Sequence, residues 1–242
     1  MFNGIYSNAT AIDISSRQHE VIANNLANAN TPGFRRTLLA VSSRGNNALQ
    51  QNGQLNTNLR GSEAVRSYVD FSQATMRETG RPLDVAINGD GFFKIQTDGG
   101  PIYTRNGSFQ VTDTGELVTM DGLSVMGGGA IQIPIDVALS DIVINDDGTI
   151  RGNGQELGRL DIVSFNDPDA LIQIGPTRFR APGGVGEIPS EAVVKQGALE
   201  SANTSVVSEM IAMIVGMRHL ESAQQSLKSI SEAIQQFTQL DG

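Results

Sequence analysis

The sequence predicts an α+β protein in which a helix at each end flanks a central, glycine-rich antiparallel β domain. Three observations predict this class. Apolar residues near the N-terminus recur with a helical period, short β-branched and aromatic runs fill the middle, and an apolar heptad repeat occupies the C-terminal segment. We therefore divide the chain into an N-terminal helix with an asparagine-rich motif, a polar connector, a β domain and a C-terminal helix, spanning 1–36, 37–80, 81–196 and 197–242.

The segment from about Gly4 to Ala29 is predicted to be a helix. One face of it carries the apolar residues, which recur at three- and four-residue steps: Ile5, Ala9, Ile12, Ala23 and Leu26. Thr31 precedes a proline and is therefore pushed toward an extended conformation. Pro32-Gly33 supplies the fixed φ and the positive φ of a type II turn. The helix therefore has to end before this turn.

Asparagines cluster at the end of this helix, at Asn24, Asn25, Asn28 and Asn30. Asparagine is unfavourable in a helix interior because its amide competes for the hydrogen bonds of the backbone. A soluble domain has little reason to collect such residues there unless something outside the helix uses the side chains. The cluster therefore predicts an interaction site.

The middle of the chain changes from a polar connector to a β pattern. The stretch from Asn46 to Asn58 has no apolar period, which is typical of a connector. From Arg81 onward short apolar runs alternate with glycine turn pairs, and this spacing predicts an antiparallel β sandwich or a partly open barrel. The runs are 92–95, 102–104, 109–111, 123–125, 131–133, 142–144 and 160–165, and the turn pairs are Asp98-Gly99, Asn106-Gly107, Asp121-Gly122 and Asp147-Gly148.

The C-terminal helix is predicted to run from Thr204 to Thr238, and Asn203, Thr204 and Ser205 are all able to cap its start. This helix carries an apolar stripe with a seven-residue repeat. Its members are Met213, Leu220, Leu227 and Ile234, flanked by Met210, Met217, Ala223, Ile230 and Phe237. A helix of this length is roughly 50 Å long. Because the β domain is too small to cover it, the stripe has to meet the N-terminal helix, another subunit, or both.

Several blocks of the sequence resemble the bacterial flagellar rod and hook family of axial proteins. The N-terminal block, residues 23–36, reads Ala-Asn-Asn-Leu-Ala-Asn-Ala-Asn-Thr-Pro-Gly-Phe-Arg-Arg. Residues 81–93, with Asn-Gly-Asp-Gly-Phe-Phe at their end, and 103–118 are similar to the first strands of that family's central domain. Residues 197–221 are similar to its C-terminal block, whereas 152–189 show no match.

The resemblance implies a structural subunit of the flagellar basal-body rod without catalytic activity, which assembles helically through its terminal helices and transmits torque. It implies that these helices pair in a coiled-coil-like manner as an inner tube layer, with the β domain outside. We expect Asn24, Asn25 and Asn28 to hydrogen-bond to the backbone of neighbouring subunits. The residues expected at assembly interfaces are Asn24, Asn25, Leu26, Asn28, Thr31, Pro32, Gly33, Phe34, Met210, Met213, Met217, Leu220, Leu227 and Ile234.

The same resemblance implies the partners and the location. The expected partners are other copies of the chain, other rod and hook proteins, and the flagellar export apparatus. The expected location is the periplasm-spanning rod. No basic residue precedes Arg17 and no apolar core of signal-peptide length follows, so we expect export without a cleaved signal. Length and the short connector resemble the FlgF-like proximal-rod subtype more than the longer FlgG-like distal-rod subtype.

The residues do not favour an enzyme, a cofactor site or a metal site. The chain has no cysteine, and we interpret its two histidines, His19 and His219, as helix-surface or interface residues. We interpret the basic pair Arg35-Arg36 as solvated. A net charge of −9 disfavours nucleic acid, and the longest apolar run, Met210 to Val215, is too short to cross a bilayer. The alternative function is a secreted β-sandwich binding module for glycan or cell wall, with an oligomerising helical stalk.

Overall fold

The computed structural model describes residues 2–43 and 63–240, with side chains described for 10–41 and 65–232. The predicted α+β class is confirmed, because helices at the two ends of the chain flank a middle that is rich in antiparallel strands. The described residues form two compact units. Unit 1 comprises 2–27, 37–43, 63–69 and 206–240, and unit 2 comprises 28–36 and 70–205.

Unit 1 contains both long helices and one hairpin. Its elements are α1 (Phe2–Ala27), β1 (Thr37–Ser43), β2 (Glu63–Val69) and α2 (Val206–Leu240). The two strands pair antiparallel in one continuous register, from Thr37 opposite Val69 to Ser43 opposite Glu63. Helix α1 contacts both α2 and β1. Strands β1 and β2 thus lie within the segment 37–80 that the sequence analysis separates as a polar connector. The stretch 46–58, which is predicted to be a connector without an apolar period, lies outside the described residues.

Unit 2 is built from short antiparallel strands. Its strands in chain order are β3 (Met76–Glu78), β4 (Val85–Asn88), β5 (Phe92–Thr97), β6 (Gly100–Thr104), β7 (Phe109–Val111), β8 (Leu117–Thr119), β9 (Ile142–Ile144), β10 (Thr149–Gly152), β11 (Gln155–Arg159), β12 (Ile162–Phe165), β13 (Ile172–Gln173), β14 (Arg178–Arg180), β15 (Glu187–Pro189), β16 (Val193–Gln196) and β17 (Ala198–Glu200).

In the described part of unit 2 these strands form five sheets in place of the predicted single sandwich or barrel. The largest has six strands in the order β13-β14-β6-β5-β12-β15, and a three-stranded sheet has the order β11-β10-β9. The remaining pairs are β4 with β16, β3 with β17, and β7 with β8. Two of these pairs join the start of unit 2 to its end, so the C-terminal strands close the unit.

Most predicted β runs become strands, with two exceptions. Residues 123–125 and 131–133 form only isolated bridges, such as Ile95 with Val125 and Glu116 with Gln132. The turn predicted at Asn106-Gly107 is also absent. Gly107 instead accepts a hydrogen bond from the amide of Val85 at 3.0 Å, and a Cβ at Gly107 would collide with the carbonyl oxygen of Val85. This glycine is required by close packing of two backbone segments and not by a turn.

The hydrophobic core of unit 2 lies among these small sheets. Its fully buried members include Val85, Ile87, Phe93 and Phe109, and the rings of Phe93 and Phe109 meet edge to face at 5.1 Å. In β9, for example, Ile142 and Ile144 are buried in this core, whereas Val143 between them is exposed, and such burial holds strands as short as three residues.

Candidate assembly interface

Asn25 lies in the last turn of α1 and is buried, with 1% of its surface exposed. Its Nδ2 donates a hydrogen bond to the carbonyl of Thr37 at 2.9 Å, and its Oδ1 accepts one from the amide of Thr37 at 3.0 Å. One side-chain amide thus satisfies both backbone groups of the first residue of β1. The structure therefore gives Asn25 an intramolecular bond in place of the predicted bond to a neighbouring subunit.

The other asparagines of the motif are more accessible. Asn24 is exposed, and Leu26 and Asn28 are half-buried. The carbonyl of Asn28 accepts a hydrogen bond from the amide of Thr31 at 2.9 Å, which closes the turn that follows α1. The role of Asn24 and Asn28 at an interface between subunits stays a prediction.

The turn predicted after the helix is present and is tightly packed in unit 2. The amide of Phe34 donates to the carbonyl of Thr31 at 3.2 Å, and Gly33 has a φ of +72°. A Cβ at Gly33 would lie 2.5 Å from the carbonyl carbon of Arg105, 2.7 Å from Cα of Asn106, and nearer still to the nitrogen of Asn106. Thr31 and Pro32 are half-buried, whereas Gly33 and Phe34 are buried within the chain itself. This packing requires glycine both for its conformation and for its size.

A cluster of buried charges follows the turn. Nη2 of Arg35 donates to Oε1 of Glu200 at 2.7 Å, and Nη1 of Arg105 lies 3.5 Å from Oε2 of the same carboxylate. The exposed fraction is at most 3% for each of the three residues. Burial lowers the pKa of Arg105 to about 10, although the charge of Glu200 opposes this effect. We call these three residues the buried ion cluster.

The buried ion cluster corrects the interpretation of the basic pair at 35–36 as solvated, because Arg35 is fully buried. The cluster is not evident from the sequence because Arg35 and Glu200 are separated by 165 positions. One available signal was the position of both residues inside blocks of family resemblance. A second was the glutamate in the otherwise apolar strand β17, all three residues of which are buried.

Asn203 makes a second link between the same chain segments. Its Oδ1 accepts from the amide of Arg36 at 2.6 Å, and its Nδ2 donates to the carbonyl of Asp70 at 2.7 Å. This side chain therefore joins three parts of unit 2 at the points where the chain leaves it near residues 36, 70 and 205. From the sequence, Asn203 is expected only as a helix cap.

Helix α2 presents two different apolar faces. Met213, Leu220 and Leu227 are half-buried on the face that contacts α1. Between the first two, a Cβ at Gly216 would lie 3.9 Å from Cδ1 of Ile22. Ile234 lies in α2, and its side chain is outside the described residues.

The second face, which we call the outer apolar face of α2, is centred on Val207, Ile211, Ile214 and Val215, which point away from Met213, Leu220 and Leu227 at about 100° per residue. Met210 and Met217 form the edge of this face beside Met213, from which they are three and four residues away. Its members are 47–68% exposed: Val207, Met210, Ile211, Ile214, Val215 and Met217. Of the predicted interface methionines, Met210 and Met217 thus lie exposed at the edge of the outer apolar face, next to the half-buried Met213 on the face toward α1. The heptad pattern alone does not separate these two faces.

Histidine and carboxylate side chains do not cluster as a metal centre in the residues that the structure describes. No group of three or more histidine, aspartate or glutamate side chains there is placed to hold a metal ion. Within 2–43 and 63–240, neither helix is long and apolar enough to span a membrane.

A carboxylate on the six-stranded sheet has two donors. Oε2 of Glu187 accepts from Nζ of Lys94 at 2.7 Å, and Oε1 accepts from the hydroxyl of Tyr103. Burial by itself would raise the pKa of Glu187, but the hydrogen bonds from Lys94 and Tyr103 outweigh it and lower that pKa. Burial and the neighbouring carboxylate raise the pKa of Tyr103. These contacts hold the edge strand β15 to the sheet.

Comparison with known protein families matches three segments of the chain. Residues 5–35 match the model described as flagella basal body rod protein, and residues 86–152 match the flagellar hook protein FlgE/F/G D1 domain. Residues 195–240 match the model described as flagellar basal body rod FlgEFG protein C-terminal. The matched segments contain the asparagine-rich motif, Arg105, Glu200 and the outer apolar face of α2.

Individual relatives align over nearly the whole chain. Flagellar basal-body rod protein FlgF of Caulobacter vibrioides is 32% identical over 239 residues, covering 96% of this chain and 95% of that protein. Flagellar basal-body rod protein FlgG of Bacillus subtilis is 30% identical over 264 residues, covering 99% of each. The FlgG protein of Agrobacterium fabrum is 35% identical over 241 residues, covering 88% of this chain and 89% of that protein. Relatives of both names match similarly, so the subtype stays a prediction.

Proposed function

Because this chain belongs to the family of flagellar basal-body rod proteins, it is a structural subunit of the rod and not an enzyme, and we propose that it assembles through the outer apolar face of α2. Membership of this family contradicts the alternative function, a secreted binding module with a helical stalk. The single observation that carries the proposal is the exposure of six large apolar side chains on one side of a helix whose other side already contacts α1.

Such a face is unfavourable in water and favours a contact with another protein surface. Fully burying one isoleucine contributes about 1.5–3 kcal/mol, so a group of six half-exposed apolar residues is a large driving force for association. A helix face that meets a different surface on the next subunit makes a heterologous contact, and repeated heterologous contacts grow a filament. This is the mode of association that a rod requires.

We place the remaining features of the assembly in the same proposal. The helices α1 and α2 pair in a coiled-coil-like manner as the inner layer of the tube, and torque passes along them. The partners are other copies and other rod or hook proteins, and the export apparatus delivers the chain to a periplasm-spanning rod. The subtype that we expect is the FlgF-like proximal rod. The support for these features is the family resemblance together with the contact between α1 and α2.

The test replaces Ile211 and Ile214 with aspartate in a flagellated cell that lacks its own copy of the subunit. Each substitution puts a charge into the proposed contact, where burial without a partner is strongly unfavourable. We expect loss of swimming and loss of the subunit from purified hook-basal bodies, measured by mass spectrometry. The purified monomer should keep the circular dichroism spectrum of the parent, because both positions are exposed in the single chain.

The matched control is Gln225→Asp, which places a charge on the same side of α2 at an exposed polar position. We expect this variant to assemble. Normal incorporation of the Ile211→Asp/Ile214→Asp variant would show that the outer apolar face is not an assembly surface. An assembly defect of equal size in the Gln225 variant would also contradict the proposal, because it would reflect added charge alone.

A further inference from the structure

The two terminal blocks of the sequence meet inside unit 2. Residues 28–36 follow α1, and residues 197–203 precede α2, yet both belong to the same compact unit as the central strands. The amide of Gly33 donates to the carbonyl of Glu200 at 2.8 Å, and the amide of Asn203 donates to the carbonyl of Phe34 at 3.4 Å. Residues 28–36 are therefore held by a part of the chain that is made much later.

Glu200 carries most of this attachment. Its Oε1 accepts from Nη2 of Arg35 at 2.7 Å and from the amide of Ala74 at 2.8 Å. Its Oε2 lies 3.5 Å from Nη1 of Arg105. One fully buried carboxylate thus contacts three parts of the chain: residues 28–36, the segment between β2 and β3, and the loop after β6.

The charge balance makes this carboxylate necessary for the position of its neighbours. Arg35 and Arg105 are both buried cations, and each repels the other in a medium where charges are poorly screened. Asp90 also attracts Arg105, but Glu200 is the anion that contacts both guanidinium groups. Removing the negative charge leaves two like charges buried together, and the segment that can leave most easily is the one carrying Arg35.

We propose that Glu200 is a positioning residue that fastens residues 28–36 to the strands of unit 2. Residues 28–36 therefore acquire their final position only when the C-terminal block is present. During synthesis Arg35 and Arg105 are made before Glu200, and a chain that stops short of residue 200 lacks the anion for both. An incomplete chain therefore does not present an ordered motif for assembly. The link to assembly rests on the proposed function, whereas the fastening itself concerns the single chain.

The test is hydrogen exchange measured by mass spectrometry on the full-length monomer. Glu200→Gln keeps the size of the side chain and removes its charge. We expect exchange in peptides covering residues 28–36 to accelerate on the order of 100-fold or more, while peptides from β5 and β6 change by less than about threefold. The matched control is Glu187→Gln, which removes another carboxylate bound to a cation in unit 2 and should leave residues 28–36 unchanged.

A second variant separates charge balance from space filling. Adding Arg105→Met to Glu200→Gln removes one of the two like charges, so we expect part of the protection of residues 28–36 to return. If Glu200 acted only by filling space, the double variant would protect the segment less than the single one. Unchanged protection in Glu200→Gln, or equal acceleration in β5, β6 and residues 28–36, would overturn the proposal.

The consequence for assembly has its own measurement. We expect less Glu200→Gln subunit in purified hook-basal bodies than parent subunit. Full incorporation of a variant with an unprotected motif would overturn the link between fastening and assembly. It would not affect the proposed role of α2, which depends on the variants at Ile211 and Ile214.

Discussion

Gly33 and Gly80 provide a matched test of how the asparagine-rich turn is packed. Both glycines belong to unit 2 and both have a φ of +72°. A Cβ at Gly80 would meet nothing within 4 Å, whereas a Cβ at Gly33 would overlap the backbone of Arg105 and Asn106. The substitutions Gly33→Ala and Gly80→Ala therefore share the same backbone strain and differ in steric overlap.

The expected magnitudes follow from these contacts. Placing alanine in a left-handed conformation costs about 1–2 kcal/mol, and this is the whole effect expected for Gly80→Ala. At Gly33 the overlapping atoms are backbone, so they cannot rotate away, and overpacking adds about 1–3 kcal/mol. Displacing the turn also weakens the hydrogen bond from the amide of Gly33 to Glu200, which is worth about 0.5–1.5 kcal/mol. We expect Gly33→Ala to destabilise unit 2 by about 2–4 kcal/mol more than Gly80→Ala.

The assay is hydrogen exchange in β5 and β6, because it reports the opening free energy of unit 2 separately from that of unit 1. A single unfolding curve for the whole chain would mix two compact units. If the two variants lower the opening free energy equally, to within about 0.5 kcal/mol, the close approach of the turn to Arg105 and Asn106 does not stabilise the fold.

Two further predictions concern polar contacts. Asn25→Ala removes the side-chain amide that bonds to both backbone groups of Thr37, and we expect it to destabilise unit 1 by about 1–3 kcal/mol, measured by hydrogen exchange in β1. The control is Asn30→Ala, because Asn30 is exposed. An equal effect of the two substitutions would contradict the structure. The pKa of Glu187 is lowered in the folded chain, so its stabilisation is present above the usual value of 4.5 and is lost as the pH falls through the lowered value. Glu187→Gln should therefore remove about 0.5–1 kcal/mol of the acid-dependent loss of stability below about pH 4.5, and parallel pH curves for the two proteins would refute this.

Much of the local structure could be predicted from sequence because it depends on neighbouring residues. The end of α1, the positive φ at Gly33 and the turns at Gly122 and Gly148 follow from proline and glycine geometry within a few positions. The hairpin β1–β2 was missed because its partners are joined by a long polar stretch, and no local pattern indicates which strand a short apolar run will pair with.

The candidate site divides in the same way. The heptad pattern located the apolar residues of α2, but pattern alone does not say which of them contact α1 and which face solvent. Met213 and Leu220 are half-buried by contact with α1, whereas Ile211 and Ile214 stay exposed. The structure thereby identifies the outer apolar face. Likewise, only the structure shows that Asn25 bonds to Thr37.

The amino-acid sequence by itself determined the two terminal helices, most strands of unit 2, the turn after the asparagine-rich motif and the family of the chain, because each depends on residues that are close together or on blocks that are recognisable alone. Tertiary structure decided that Arg35, Arg105 and Glu200 form one buried cluster. Arg35 and Glu200 are 165 positions apart, and the two segments meet only in the folded chain, where the amide of Gly33 donates to the carbonyl of Glu200. Local preferences have the range of a few residues, whereas burial of charge depends on everything that packs around it.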